Sequence, residues 1–127
     1  MLCVPAVAGE QQDLEKTLAK YKVLLGLGEW KVTLHMDTLK DIQDKCQASC
    51  VAASLWDYQN MSGEMWVLKR TEYTPAFWSV YSTIKPKGRH LAERDQRNSV
   101  VHELGHVVWQ MASEEQGVTL FTSAINP

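Results

Sequence analysis

The chain has 127 residues, with 13 Lys+Arg against 15 Asp+Glu and a formal net charge of −2. That length fits one domain and excludes a second. Hydrophobic residues at 45% and charged residues at 22% are ordinary for a folding chain; there is no basic stripe for nucleic acid, and no apolar run approaches the ~20 residues that cross a bilayer.

Residues 1–9 are expected to be a disordered or processed N-terminus. Ala6-Val7-Ala8 before Gly9 is like the end of a secretory signal, but a basic n-region is missing and Pro5 interrupts the apolar stretch. From Glu10 to Leu27, Leu14, Leu18, Tyr21 and Leu25 form the stripe of an amphipathic helix, which Gly26 and Gly28 stop. Trp30, Val32, Leu34 and Met36 alternate with polar residues, so 30–36 reads as a strand. Asp37 to Ser49 is helical or irregular. Residues 51–58 and 64–70 flank a short loop ending in Gly63 and suggest a hairpin. Trp66 alternates with Met65 and Val67, so something other than the main core must cover its face. Residues 71–90 form a long loop carrying Tyr73, Phe77, Trp78 and Tyr81. Helical periodicity returns from 91 to 112, with Val101, Leu104, Val108 and Met111 as its stripe. Ser113-Glu114-Glu115-Gln116 has capping-box spacing and opens a last helix along which Val118, Phe121 and Ile125 align. The three cysteines form no disulfide framework: Cys3 is alone, and Cys46 and Cys50 read as small buried hydrophobes.

The residues with chemistry are His102-Glu103-Leu104-Gly105-His106. Two histidines four apart sit about one turn, ~6 Å, above each other on a helix, so both imidazoles can converge on one metal. The intervening Glu103 points about 100° per residue away. It reaches a metal-bound water more naturally than the metal, as a general base must.

Through Val100-Val101-His102-Glu103-Leu104-Gly105-His106-Val107-Val108 the chain resembles the zincin metallopeptidases, specifically over about residues 98–125. The resemblance implies an α+β fold: a small twisted sheet of three to four strands with an N-terminal helix, an active-site helix and a short C-terminal helix. It also implies an edge strand that pairs with extended substrate, for which 64–70 is the candidate. Trp109 and Ala112 stand where a metzincin would have Gly and His, so the chain looks like a gluzincin, in which a Glu from a following helix completes the site. Its size is similar to minimal gluzincins and to the peptidase domains of phage repressor-cleaving regulators. In the latter, a ligand Glu opens a helix ending in Pro. Glu114 through Pro127 has a similar layout, with Gly117 and Leu120 replacing the usual Ala and Phe. Periodicity favours Glu114 as third ligand and reach favours Glu115. A straight helix to Ala112 would carry the chain ~9 Å past the metal, so a water, His90 or a residue beyond this C-terminus are the alternatives.

The expectation is a zinc-dependent metallopeptidase with one Zn²⁺ per chain on His102, His106 and Glu114 or Glu115, and with Glu103 as general base. Its partner is a peptide or protein substrate, without nucleic acid or membrane insertion, and a soluble cytoplasmic setting is favoured over a secreted one. The alternative is a zinc-stabilised, non-catalytic protein-binding or regulatory module on the same fold, for which Glu103 would have no use. His35 reads as a solvent-facing strand residue, and His90 lies twelve residues before His102, far along the helix. Tyr73, Trp78 and Tyr81 read as core or lid packing rather than cleft lining.

Overall fold

The structure, a computed structural model, describes residues 6–81, 90–111 and 118–123. The described chain runs α1 (Ala6–Leu24), β1 (Lys31–Asp37), α2 (Leu39–Cys46), β2 (Ala52–Asp57), β3 (Ser62–Leu68), a 3₁₀ turn (Arg70–Glu72), α3 (Pro75–Tyr81), α4 (His90–Met111) and β4 (Val118–Ser123). This is an α+β fold with a four-stranded sheet in the order β1-β3-β2-β4. β1 pairs parallel with β3, while β2 pairs antiparallel with both β3 and β4.

Several sequence expectations change here, and residues 75–81 of the expected long loop form α3. Ala6 to Gly9 belong to α1, and residues 1–5 of the expected disordered or processed terminus lie outside the described residues. The strand expected over 64–70 is not an edge, because β3 has β1 on one side and β2 on the other; the outer strands are β1 and β4. The last helix is replaced by β4, with Val118 opposite Asp57 and Ser123 opposite Ala52. Three points at helical spacing are a weak signal beside the β-branched and aromatic Val118, Thr119, Phe121 and Thr122. The buried residues Ala52 to Ser54 also leave β2 with a second edge whose backbone groups need partners.

The local chemistry of the remaining elements follows the residues. Gly26 takes φ 75° after α1, and the amides of Gly26 and Leu27 return to the carbonyls of Val23 and Lys22, which closes the helix with a Schellman cap. Asp57 ends β2 by accepting hydrogen bonds from the Gln59 and Asn60 amides at 3.2 and 3.3 Å. Gly63 lies opposite Trp56 in the hairpin, and a Cβ there would stand 2.1 Å from Trp56 Cε3. The indole is fully buried on the glycine, so close approach fixes this residue.

The alternation along the strands divides the sheet. One face presents Leu34, Trp56, Met65 and Val67 to Leu14 and Leu18 of α1 and to Val100, Leu104 and Val107 of α4. The other presents Leu68 and the half-buried Trp66 to Ile42 of α2 and Phe77 of α3. The expected second cover over Trp66 is therefore α2 and α3. Cys46 and Cys50 are joined in a disulfide rather than being free hydrophobes. α2 ends at Cys46, and Gln47 turns the chain with φ 53°. The pair therefore does not sit on consecutive turns of one helix.

A buried polar cluster fixes α4 on this scaffold. Gln96, fully buried, donates through Nε2 to Glu10 and to the Leu68 carbonyl (2.8 Å), and its Oε1 accepts from Arg70 Nε at 2.8 Å. Glu10 also accepts from the Arg70 amide at 2.7 Å, while Asp13 accepts from Arg70 Nη2 at 2.6 Å and from Arg97 Nη1 at 3.2 Å. α1, the 3₁₀ turn and α4 are thus joined at one end of the sheet, and Glu10 and Asp13 meeting Gln96 and Arg97 in order sets α1 and α4 parallel.

Candidate metal centre

Residues of an α-helix rotate about 100° per step. Gln96, Val100, Glu103, Leu104 and Val107 are buried, which sets the direction in which α4 faces the core. The apolar stripe expected at Val101, Val108 and Met111 is displaced by one residue: Val108 and Met111 are 38% and 47% exposed. On the wheel, His102 and His106 fall roughly 120° from the buried centre. Arg97 and Val101 lie on the other flank, facing α1. The histidines therefore occupy the flank of α4 away from α1, and α4 also touches β4.

His102 is exposed, His106 retains 26% of its side-chain exposure and Glu103 has none. The imidazoles meet edge to face with centroids 4.7 Å apart. Glu103 Oε2 is 3.5 Å from His106 Nε2. One ligand atom from each of His102, Glu103 and His106 falls within 4.8 Å of the others, so this group could hold a metal ion. Two donors on one zinc ion, each at ~2.1 Å, are at most ~4.2 Å apart, so small side-chain rotations suffice to close the set. Burial and then the neighbouring His102 lower the pKa of His106. Both effects favour the neutral imidazole, the form that carries a free lone pair.

The polar cluster on α4 contributes from a distance. Glu103 is seven residues, about 10 Å, along the helix from Gln96, so the anchored Gln96 sets the rotation that turns Glu103 inward and leaves the histidines on the flank. Sequence reading missed Glu10, Gln96 and Arg70. The only signal was that Gln96 is seven before Glu103, on one helical face, which no metal motif would single out. Ser99, three residues before His102, is hydrogen-bonded to Tyr73. Burial first, and Asp95 next, push the Tyr73 hydroxyl far above its ordinary range. Tyr73, Phe77 and Trp78 pack against one another, two pairs edge to face and one tilted, with centroids 5.1 to 5.6 Å apart. Tyr73 and Trp78 thus pack as expected, while the side chain of Tyr81 lies outside the described residues.

The other candidates separate clearly. His90 opens the same continuous helix as His102, about 18 Å along its axis. His35 is part-exposed on β1, bonded to Glu64 at 2.9 Å and stacked on Trp66. Glu114 and Glu115 lie outside the described residues. No family model, curated protein or solved structure matches the chain.

Proposed function

We propose that the protein is a zinc-dependent metallopeptidase of the gluzincin kind. The observation that carries the reading is the fully buried Glu103 carboxylate beside two imidazoles whose donor atoms all fall within 4.8 Å. Two imidazoles on one helix suit zinc, and a carboxylate beside them suits a water on that ion. His102 and His106 would hold the ion, with Glu114 or Glu115 as third ligand. A zinc ion bound there supplies Lewis acidity, which lowers the pKa of a coordinated water and polarises a scissile carbonyl.

The chain's own part is proton transfer and placement. Glu103 takes the proton of the attacking water and returns it to the leaving amine. Its carboxylate is held on the core side of the histidines by the rotation of α4, shielded from bulk water, where charge interactions are stronger. Among the described residues β4 is the outer strand that follows the motif helix in the chain, and it takes the place of β3 as the strand on which an extended peptide would lie.

The test is zinc content by elemental analysis together with Glu103→Gln. The variant keeps the volume and the polar head, so zinc should stay at about one per chain while hydrolysis of an unbiased peptide library falls at least ~10²-fold. Wild-type protein with full zinc that cleaves nothing would point to the non-catalytic module. Zinc content unchanged in His102→Ala would remove the metal assignment itself.

A further inference from the structure

On the flank of α4 opposite the histidines, α1 and α4 leave a groove of about 300 Å³ lined by Lys16, Lys20, Tyr21, Arg94, Arg97 and Val101. Helical periodicity extends both walls. On α1 the line from Lys16 and Lys20 continues to Leu24, and on α4 the line from Arg94 and Arg97 continues through Val101 and Gly105 to Val108. Leu24 is 64% exposed and Val108 38%. Because the helices are parallel, the cations share one end of the groove and the exposed apolar residues the other. We propose that this groove docks a polypeptide segment that is acidic at one end and bulky and apolar at the other.

Charge and shape select that occupant. Arg97 is engaged by Asp13 at 3.2 Å, and Arg94 meets Asp95 at 3.7 Å. Lys16 and Lys20 have no ion pair among the described residues, which leaves an excess suited to a few carboxylates. A nucleic acid tracked along its backbone calls for a longer stripe of cations, and the chain as a whole is net negative. Tyr21, Val101 and the lysine stems give the groove an apolar floor against which side chains can pack. Gly105 supplies an independent observation. A glycine inside a helix costs about 0.5–1 kcal/mol relative to alanine, yet a Cβ there would meet nothing within 4 Å. No contact among the described residues requires a glycine here, and it lies between the cations and Val108 along α4. The groove is separate from the histidine flank, so docking there stands whether or not the metal centre is catalytic.

The probe is a fluorescent peptide of glutamates followed by leucines, titrated into the full chain, with amide chemical shifts mapping the contact. Binding should move residues between 16 and 24 and between 94 and 108, and should weaken as salt is raised. The double variants Lys16→Glu with Lys20→Glu, and Leu24→Ser with Val108→Ser, should each weaken it at least about tenfold. Thermal melts verify their fold, and His102→Ala should bind as the wild type does. The same peptide with lysines for glutamates, or serines for leucines, should bind at least about tenfold less tightly. Absence of binding at millimolar peptide, shifts mapping elsewhere, or unchanged affinity in both double variants would overturn the proposal. So would equal binding by a single-stranded oligonucleotide, phosphatidylserine vesicles or inorganic phosphate.

Discussion

Replacing Gln96 by Leu tests whether the buried polar cluster really sets the position of α4. The glutamine donates to Glu10 and to the Leu68 carbonyl and accepts from Arg70, with no exposure to water. Hydrogen bonds to the two charged partners are worth roughly 1.5–3 kcal/mol each and the neutral one about 1 kcal/mol. Burial of the leucine's additional apolar surface returns roughly 1–2 kcal/mol. The net loss is about 2–6 kcal/mol, a large share of the 5–15 kcal/mol that about a hundred residues typically hold. Leucine is close in volume to glutamine, so the loss would come from the stranded Glu10 carboxylate and Leu68 carbonyl rather than from a cavity. Urea unfolding followed by circular dichroism should show the midpoint falling by about 1–2 M with an unchanged slope. A midpoint within about 0.3 M of wild type would refute the argument, because it would mean that these bonds do not hold α4 against the sheet.

Gly63→Ala should destabilise by about 2–4 kcal/mol in the same assay, since a Cβ 2.1 Å from a fully buried indole must displace Trp56 or the hairpin; a neutral result would mean that the ring yields freely. Reducing the Cys46–Cys50 disulfide should cost about 2 kcal/mol by loop-closure entropy, a modest amount because the closed loop is short; identical melting with and without reductant would argue that the pair is not bonded. Asp95 has its pKa raised, by burial first, against the opposing pull of Arg94. A carboxylate with a raised folded pKa destabilises at pH above that pKa and ceases to do so as pH falls through it to below its unfolded value of 3.8. Asp95→Asn should therefore stabilise slightly at pH 7, by less than about 1 kcal/mol, read as a small rise in melting temperature, with the gain vanishing in acid; a gain that persists at pH 3 would have another origin.

Local pattern was enough for much of the fold. Gly26 marked the end of α1 because only a residue at ease with positive φ closes that cap. The hairpin was legible in two β-rich runs around Gly63, and the strand at Trp30 to Met36 in its alternation. The candidate site was legible for a stricter reason: two histidines on one helix that could hold a metal ion are a local feature, fixed by a spacing of four residues. His102, Glu103 and His106 needed only the helix, and the helix needed only its own periodicity.

What the sequence did not determine depends on contacts between distant segments. That β3 lies inside the sheet follows from β1 pairing with it across the chain, and no property of residues 64–70 alone distinguishes a central from an edge strand that has one face on the core. Whether 118–123 became helix or strand was decided by the open edge of β2, which outweighed a three-point periodicity. The direction in which α4 buries itself was decided by Glu10 and Arg70, which hold Gln96 from 86 and 26 residues earlier in the chain. A hydrophobic stripe read from α4 alone was therefore displaced by one residue. By itself the sequence determined which groups could meet a metal, because one helical turn places them; the tertiary structure decided which flank they occupy and that Glu103 is buried, because burial depends on what packs against the helix.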